Sequence, residues 1–299
     1  MDPVQVATHY SRKYAAGMEL TAQQLVSELE STLDVYPDPQ GEIVFWDQIG
    51  VVRMQPKTQT GVDIPTVNTP HKRRALSPQD FQHRDLIDKF DKLKVFNDPT
   101  NDYTLAHTAA GQRKKDKIII DALLGTALTG KTGTTSVVLP SSQKIAAASA
   151  GFTFAKVQEG IRLLRSRNAI RKGEPVTIAY TSFQEKEFMN TTEVKSVDYN
   201  TQKVLVEGEV GSFYTCFFKR VEDEYDDDGN VVRFLPYSGT TRSCLMYPKG
   251  AGKTGTWLPL TGMVEWVVEK HCWQVTPEMS FGASRGQETK VVQIDVVQA

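Results

Sequence analysis

Cysteine is scarce in this chain. Its 299 residues hold three, Cys216, Cys244 and Cys272, an odd number, far apart and each set among strand-forming residues. That usage argues against a disulfide framework or a thiolate metal site and predicts three buried free thiols. Long apolar runs are lacking too: nothing approaches the roughly 20 residues of a bilayer span, and the opening MDPVQVATHYSRKYAAGMEL has no signal-peptide core. The expectation is a folded protein made and used in the cytosol, away from membranes. Nor is there a surplus of charge. Lys plus Arg number 35 against 36 for Asp plus Glu, which removes any overall positive field for gripping DNA.

Catalytic signals are missing as well. His9, His71, His83, His107 and His271 are scattered, and no Ser, Cys or Asp stands in a recognisable catalytic setting. His271 and Cys272, adjacent in a strand, would point to opposite faces and could not chelate one ion together. The chain is therefore expected not to be an enzyme, and no catalytic residue, cofactor or metal ligand is assigned. Its work should be done by surfaces.

What is present starts with enough apolar material, 39 % of residues, for one large domain or two modest ones. The stretch that organises the chain runs from His83 to Ala127. Leu86, Ile87, Phe90 and Leu93 share one face at helical offsets and predict a first helix. Asn97-Asp98-Pro99 then breaks the chain, with Asp98 as a cap and Pro99 at a first helical position. A second helix is predicted from there to Leu124, stopped by Gly125 and about 40 Å long at 1.5 Å per residue. Tyr103, Ala106, Ala109 and Ala110 give it a thin apolar face, Gln112 to Lys117 is almost wholly polar, and Ile118, Ile119, Ile120, Leu123 and Leu124 are apolar. Two readings stay open: a surface helix of an ordinary domain, or a strut packing against different elements at its two ends.

Residues 1–41 read as an arm, with a helix at Thr21 to Leu33 that carries Leu25, Val26, Leu29 and Leu33 on one side and is capped by Thr21 with Gln24. Such an arm must lie on its own domain or on a neighbouring chain. EIVFWDQIGVVRM, from Glu42 to Met54, predicts one or two strands. Residues 55–70 hold three prolines, and His71-Lys72-Arg73-Arg74 adds a basic cluster. This is either a solvated hairpin with a mobile tip or a β-arm that reaches across an adjacent subunit and pairs its basic cluster with that subunit's carboxylates.

After the long helix, Gly125 to Thr132 satisfies G-x-x-x-x-G-K-[ST], the phosphate-cradling loop. That loop requires a strand before it and a helix after it, so that a helix N-terminus meets the phosphates. Here helical IIIDALL precedes and strand-like SVVLP follows, so a Gly/Thr hairpin turn is expected. Further on, Phe154, Val157, Ile161 and Leu164 predict an amphipathic helix with Lys156, Arg162, Arg165 and Arg167 on a solvated face. Pro175 to Thr181 reads as a strand, Ser182 and Glu185 as a capping box opening a helix through Met189, Gln202 to Glu209 as another short helix, and Phe213 to Arg220 as a strand. The acidic run Glu222 to Asp228 imitates a calcium loop, but Leu235 stands where the bidentate Glu belongs, so a hairpin turn at Asp228-Gly229 is expected. From Thr256 onward the pattern alternates and predicts antiparallel strands.

Asn68-Thr69-Pro70-His71-Lys72-Arg73-Arg74, then Asp85-Leu86-Ile87-Asp88-Lys89, Asp98-Pro99-Thr100 and Arg113-Lys114-Lys115-Asp116, resembles the major capsid proteins of tailed double-stranded DNA phages. So do Thr191-Thr192-Glu193-Val194, Asp198-Tyr199-Asn200 and the late Phe281-Gly282-Ala283. The similarity spans about residues 40–299 in one order. It implies an α+β fold, the HK97-like capsid fold. The parts would be an N-terminal arm (1–41), an extended β-loop (42–76), a peripheral domain (77–143) built on a spine helix (98–125), an axial domain (144–260) and C-terminal strands returning to the peripheral domain (261–299). It implies self-assembly into the icosahedral head of a virion, built in the host bacterial cytoplasm. The expected partners are identical subunits in hexamers and pentamers, a portal, scaffolding and decoration proteins, and packaged DNA through weak contact. Trp46, Arg53, Lys57, Lys72, Arg73 and Arg74 are the expected inter-subunit contacts. The rival readings are an encapsulin-like nanocompartment shell and a P-loop nucleotide-binding enzyme.

Overall fold

The computed structural model describes residues 23–57, 60–61, 66–88, 100–191, 205–206, 209–210, 212–225 and 229–298. In chain order the main elements are β1 Val44–Ile49, β2 His71–Leu76, β3 Gln79–Gln82, β4 Asp85–Asp88, α1 Thr100–Leu124, β5 Ala127–Thr129, β6 Thr135–Val137 and β7 Lys144–Ile145. They continue with α2 Phe154–Ser166, β8 Val176–Tyr180, α3 Ser182–Met189, β9 Cys216–Arg220, β10 Thr241–Pro248, β11 Gly252–Val267, β12 Cys272–Arg285 and β13 Val292–Val297. Among the described residues no helix is long and apolar enough to cross a membrane.

Two hydrophobic cores divide this α+β architecture. In the first, β11 and β12 form a long antiparallel hairpin, flanked by Asp34–Val35 on one side and by β3 and β4 on the other. The C-terminal half of α1 lies on it, so that Ile118, Ile119, Ile120 and Leu123 are buried with Leu29, Leu33, Met279 and Phe281. At roughly 1.5–3 kcal/mol per fully buried aliphatic side chain, this run of α1 is a principal source of the region's stability. The second core lies under a mixed sheet that includes β9, β8, β10, β13 and β7 in that order. Val157, Ile161 and Leu164 of α2 and Phe188 of α3 pack there against Ile178, Met246 and Ile294. β8 and β9 run parallel, as strands joined by a crossover containing a helix must. β13 pairs with β10, so the chain's late strands are shared: β12 lies beside α1 and β13 lies in the second sheet.

Several elements differ from the sequence reading, each for a nameable reason. Residues 85–88 are a strand rather than the start of a helix: Ile87 is buried, Leu86 exposed, and both pair with β12. Four residues fit either period, and the long-range edge pairing decides. Phe90, Leu93, the Asn97-Asp98-Pro99 break and the side chain of Tyr103 lie outside the described residues, as does Thr21. The predicted arm helix reduces to a single 3-10 turn at Glu30–Thr32, which buries Leu29 and Leu33 and leaves Leu25 and Val26 exposed. The capping box of α3 sits one residue earlier, on Thr181 with Gln184. Within Gln202 to Glu209, Leu205–Val206 pairs with Glu209–Val210 as strand instead of helix. The strand expected from Phe213 is broken at Tyr214 and Thr215, both left-handed, which fold Ser212–Phe213 back on β9.

Lys156 is buried rather than solvated. Its ammonium donates to the carbonyls of Ala147, Ala150 and Asp295 at 2.8–2.9 Å, closing the loop before α2, while burial pulls its pKa down. All three cysteines are free and buried, with the Cys216 and Cys244 thiols pushed up to about 12 by that burial.

Gly282 is where the link from β2 to β3 meets β12. A Cβ there would lie 2.3 Å from the carbonyl oxygen of Ser77, a backbone atom that cannot swing aside. Gly282→Ala is expected to lower stability by about 1–3 kcal/mol, read as a drop in the urea midpoint of the unassembled chain. An unchanged midpoint would mean that the link yields freely.

Candidate assembly surface

The β1/β2 hairpin is anchored at one end and bare at the other. At its base Val44, Ala75 and Leu76 are buried. Beyond the paired strands the apolar side chains face solvent: Val51 is 88 % and Met54 98 % exposed, with Ile49 and Val52 beside them. Apolar groups collected at the tip of a two-stranded projection find no burial within the described residues.

Of the residues singled out from sequence, Arg53 and Lys57 are exposed on this irregular tip segment, and Lys72 is exposed on β2 opposite Gln48. Arg73 faces Asp47 across the hairpin, its Nε 2.7 Å from Oδ1, and its guanidinium stands 5.5 Å from the Phe45 ring. The hydrogen bond from Arg73 holds the Asp47 carboxyl below its ordinary range. Trp46 is half-buried, with the Lys253 ammonium 5.6 Å from its ring. Arg74 differs from the rest. It is 3 % exposed and ion-paired to Glu288 of its own chain, at the anchored end of β2 where Ala75 and Leu76 are buried as well.

Beside this hairpin the Gly125 to Thr132 stretch forms the turn of β5 and β6, with Gly130 and Gly133 in positive φ. The C-terminus of α1 precedes it, and Lys131 is exposed. A helix C-terminus carries the wrong dipole end for phosphate, so the nucleotide-binding reading fails on geometry.

No local spacing announces the buried polar clamps. Gln112 to Lys117 of α1 is almost wholly polar, yet Asp116 is fully buried under residues 24–29. Ser27 Oγ (2.5 Å) and the Leu29 amide (3.0 Å) donate to its Oδ1, and Gln24 Nε2 (2.7 Å) and the Glu28 amide (3.1 Å) to its Oδ2. Burial pushes the Asp116 carboxyl upward, and those four hydrogen bonds draw it part of the way back. Lys115 pairs with Glu30, and Arg113 bonds Gln23 and Glu224. At the other end of α1, Arg285 of β12 donates to the carbonyls of Leu123, Gly125 and Val137. Near the end of β13, Arg242 binds Asp223 with two parallel bonds and Gln298 with a third. These partners are separated by tens to more than a hundred residues, so no local spacing marks them.

A family model described as phage capsid protein matches residues 6–298. No curated protein matches the chain by sequence. Among solved structures, the capsid of cyanophage P-SCSP1u superposes with a TM-score of 0.71 at 13 % identity, covering 98 % of this chain and 95 % of that one. The capsid of Ralstonia phage GP4 gives 0.70 at 12 % identity, with 97 % and 96 % covered. The cyanophage Pam1 capsid gives 0.70 at 11 % identity over the whole of both chains.

Proposed function

Because the chain belongs to the phage capsid protein family and is the major capsid protein of a tailed phage, assembling with identical copies into the virion head, we propose how its parts act in that shell. Residues 42–76 form the extended loop that lies across a neighbouring subunit, with Trp46, Arg53, Lys57, Lys72 and Arg73 meeting that neighbour. The observation that carries this is the bare apolar stretch beyond the paired strands of the β1/β2 hairpin, Ile49, Val51, Val52 and Met54, with the exposed cations Arg53 and Lys57 among and after them. Arg74 is engaged within its own chain and serves the hairpin's root.

In the same reading residues 1–41 are the arm, 77–143 with β11 and β12 the peripheral domain around the spine helix α1, and the sheet under α2 and α3 the axial domain. Subunits gather as hexamers and pentamers in the host bacterial cytoplasm, with a portal and with scaffolding and decoration proteins. A net charge of −1 suits a wall that touches packaged DNA without gripping it. The encapsulin-like alternative is not favoured, since the matched family and the similar structures are those of phage capsids.

Each loop contact need only be modest, because closure repeats it around the shell. Val51→Asp combined with Arg53→Glu should therefore leave the subunit's melting temperature unchanged and cut the yield of closed shells, counted by electron microscopy, by about tenfold or more. Shells formed at the parental yield would overturn the loop's role.

A further inference from the structure

Two of the scattered histidines meet a carboxylate on the face where α1 crosses the edge of the first sheet. His83 follows β3, Asp85 opens β4, and both strands pair with β12, which fixes their position against α1. His107 lies in the N-terminal half of α1. Its Nε2 stands 2.6 Å from Asp85 Oδ2, His83 Nε2 stands 3.5 Å from Asp85 Oδ1, and the two rings meet edge to face at 4.9 Å. One ligand atom from each of the three residues lies within 4.8 Å of the others. We propose that His83, Asp85 and His107 form a binding site for a divalent transition-metal ion, Zn²⁺ by preference, which staples the β3–β4 edge to α1.

The chemistry of the donor set selects the ion. Two imidazole nitrogens and one carboxylate oxygen suit Zn²⁺, whereas Ca²⁺ and Mg²⁺ require more oxygen ligands. Tetrahedral ligands at about 2.0–2.1 Å from a zinc ion sit about 3.3 Å apart, close to the His83–Asp85 spacing. The carboxylate already reaches toward both imidazoles, so the ion would displace the His107–Asp85 hydrogen bond. Access is graded: His83 is exposed, Asp85 half-exposed and His107 buried, so an ion can enter from solvent. A fourth position opens toward the adjoining cleft of about 290 Å³, lined by Phe81, Lys114, Leu260 and Glu278. In that cleft the Lys114 ammonium lies over the Phe81 ring, 4.7 Å from its centroid.

Because the ligands come from a sheet edge and a helix, ion binding adds to the stability of their union. The test uses the full, tag-free chain, stripped with chelator and titrated with ZnCl₂ by calorimetry and with CoCl₂ by visible absorption. One ion per chain, a raised melting temperature and the intense bands of low-coordinate Co²⁺ are expected. His83→Asn and His107→Asn should each weaken binding by about tenfold or more, while His71→Asn and His271→Asn should leave it unchanged. His83 is exposed, so its variant keeps the test decisive even if the His107 variant fails to fold. No stoichiometric binding, or binding that survives His83→Asn, overturns the site. Either result leaves shell assembly untouched, since the readout is metal binding alone.

Discussion

Arg285→Ala is expected to cost about 3–5 kcal/mol, the range for removing one partner of a buried charged network. Its guanidinium spans the last turn of α1 and the β6 hairpin, giving two bonds to the helix-end carbonyls of Leu123 and Gly125 and one to Val137. Helix-end carbonyls have no partner within the helix, and the cation also faces the negative end of the macrodipole. Removing it takes the donor from the buried Leu123 carbonyl and from the part-buried carbonyls of Gly125 and Val137. It also changes the neighbouring charges, because Glu288 lies 4.0 Å from Arg285 Nε and is shared with Arg74. Burial lowers the Arg285 pKa and Glu288 offsets part of that, but a guanidinium stays charged throughout the working range. Arg285→Lys should recover only part of the loss, since a single ammonium cannot span acceptors that the planar fork reaches together. Thermal unfolding of the unassembled chain measures this, with a fall of about 10 °C for Ala and less for Lys. Equal values for parent and Ala variant would show that Arg285 only fills space.

How much of this was legible in the sequence depended on whether the determining contacts were local. Val157, Ile161 and Leu164 repeat at helical spacing, and α2 lies where they put it. The alternation after Thr256 gave β11 and β12, and the order of helix, Gly/Thr turn and strand was enough to reject the phosphate loop. Leu86 and Ile87 were misread because four residues satisfy two periods, and the partner that decides, Trp273 and its neighbours on β12, is remote in sequence. Lys156 was misread for a related reason, and nothing local marked Asp116 as buried. A charged residue on a helix is normally solvated, and only a distant carbonyl or arm amide makes it a buried clamp. Of the six residues expected at subunit contacts, the basic character of five and the aromatic character of Trp46 were readable. That Arg74 is buried while Lys72 and Arg73 are not depends on where β2 meets the rest of the chain and on the remote Glu288, which local spacing does not mark.

Asp116 shows what such a clamp does for the arm. Its two carboxylate oxygens receive four donors from residues 24–29, and two of those donors are backbone amides that would otherwise have belonged to a helix. The carboxylate thus replaces local helical bonding with bonding across the interface, which is why residues 23–29 carry no regular structure while Leu29 and Leu33 enter the core. Asp116→Asn turns one acceptor oxygen into an amide donor that points at existing donors. The arm can answer by undocking and re-solvating its amides, so the loss is local and bounded by the docking free energy. Protection of the Glu28 and Leu29 amides against hydrogen exchange should fall by about 100-fold, or about 3 kcal/mol, while amides of β8 and β10 keep theirs. The pH dependence has a definite sign. With the folded-state pKa above its ordinary value, this group's contribution is fully present below the ordinary carboxylate range and is lost as pH rises through the folded value. Relative to Asp116→Asn, the parent's arm protection should therefore grow as pH is lowered from neutral through that interval. A difference between the two proteins that stays flat with pH would mean that Asp116 remains ionised under the arm throughout.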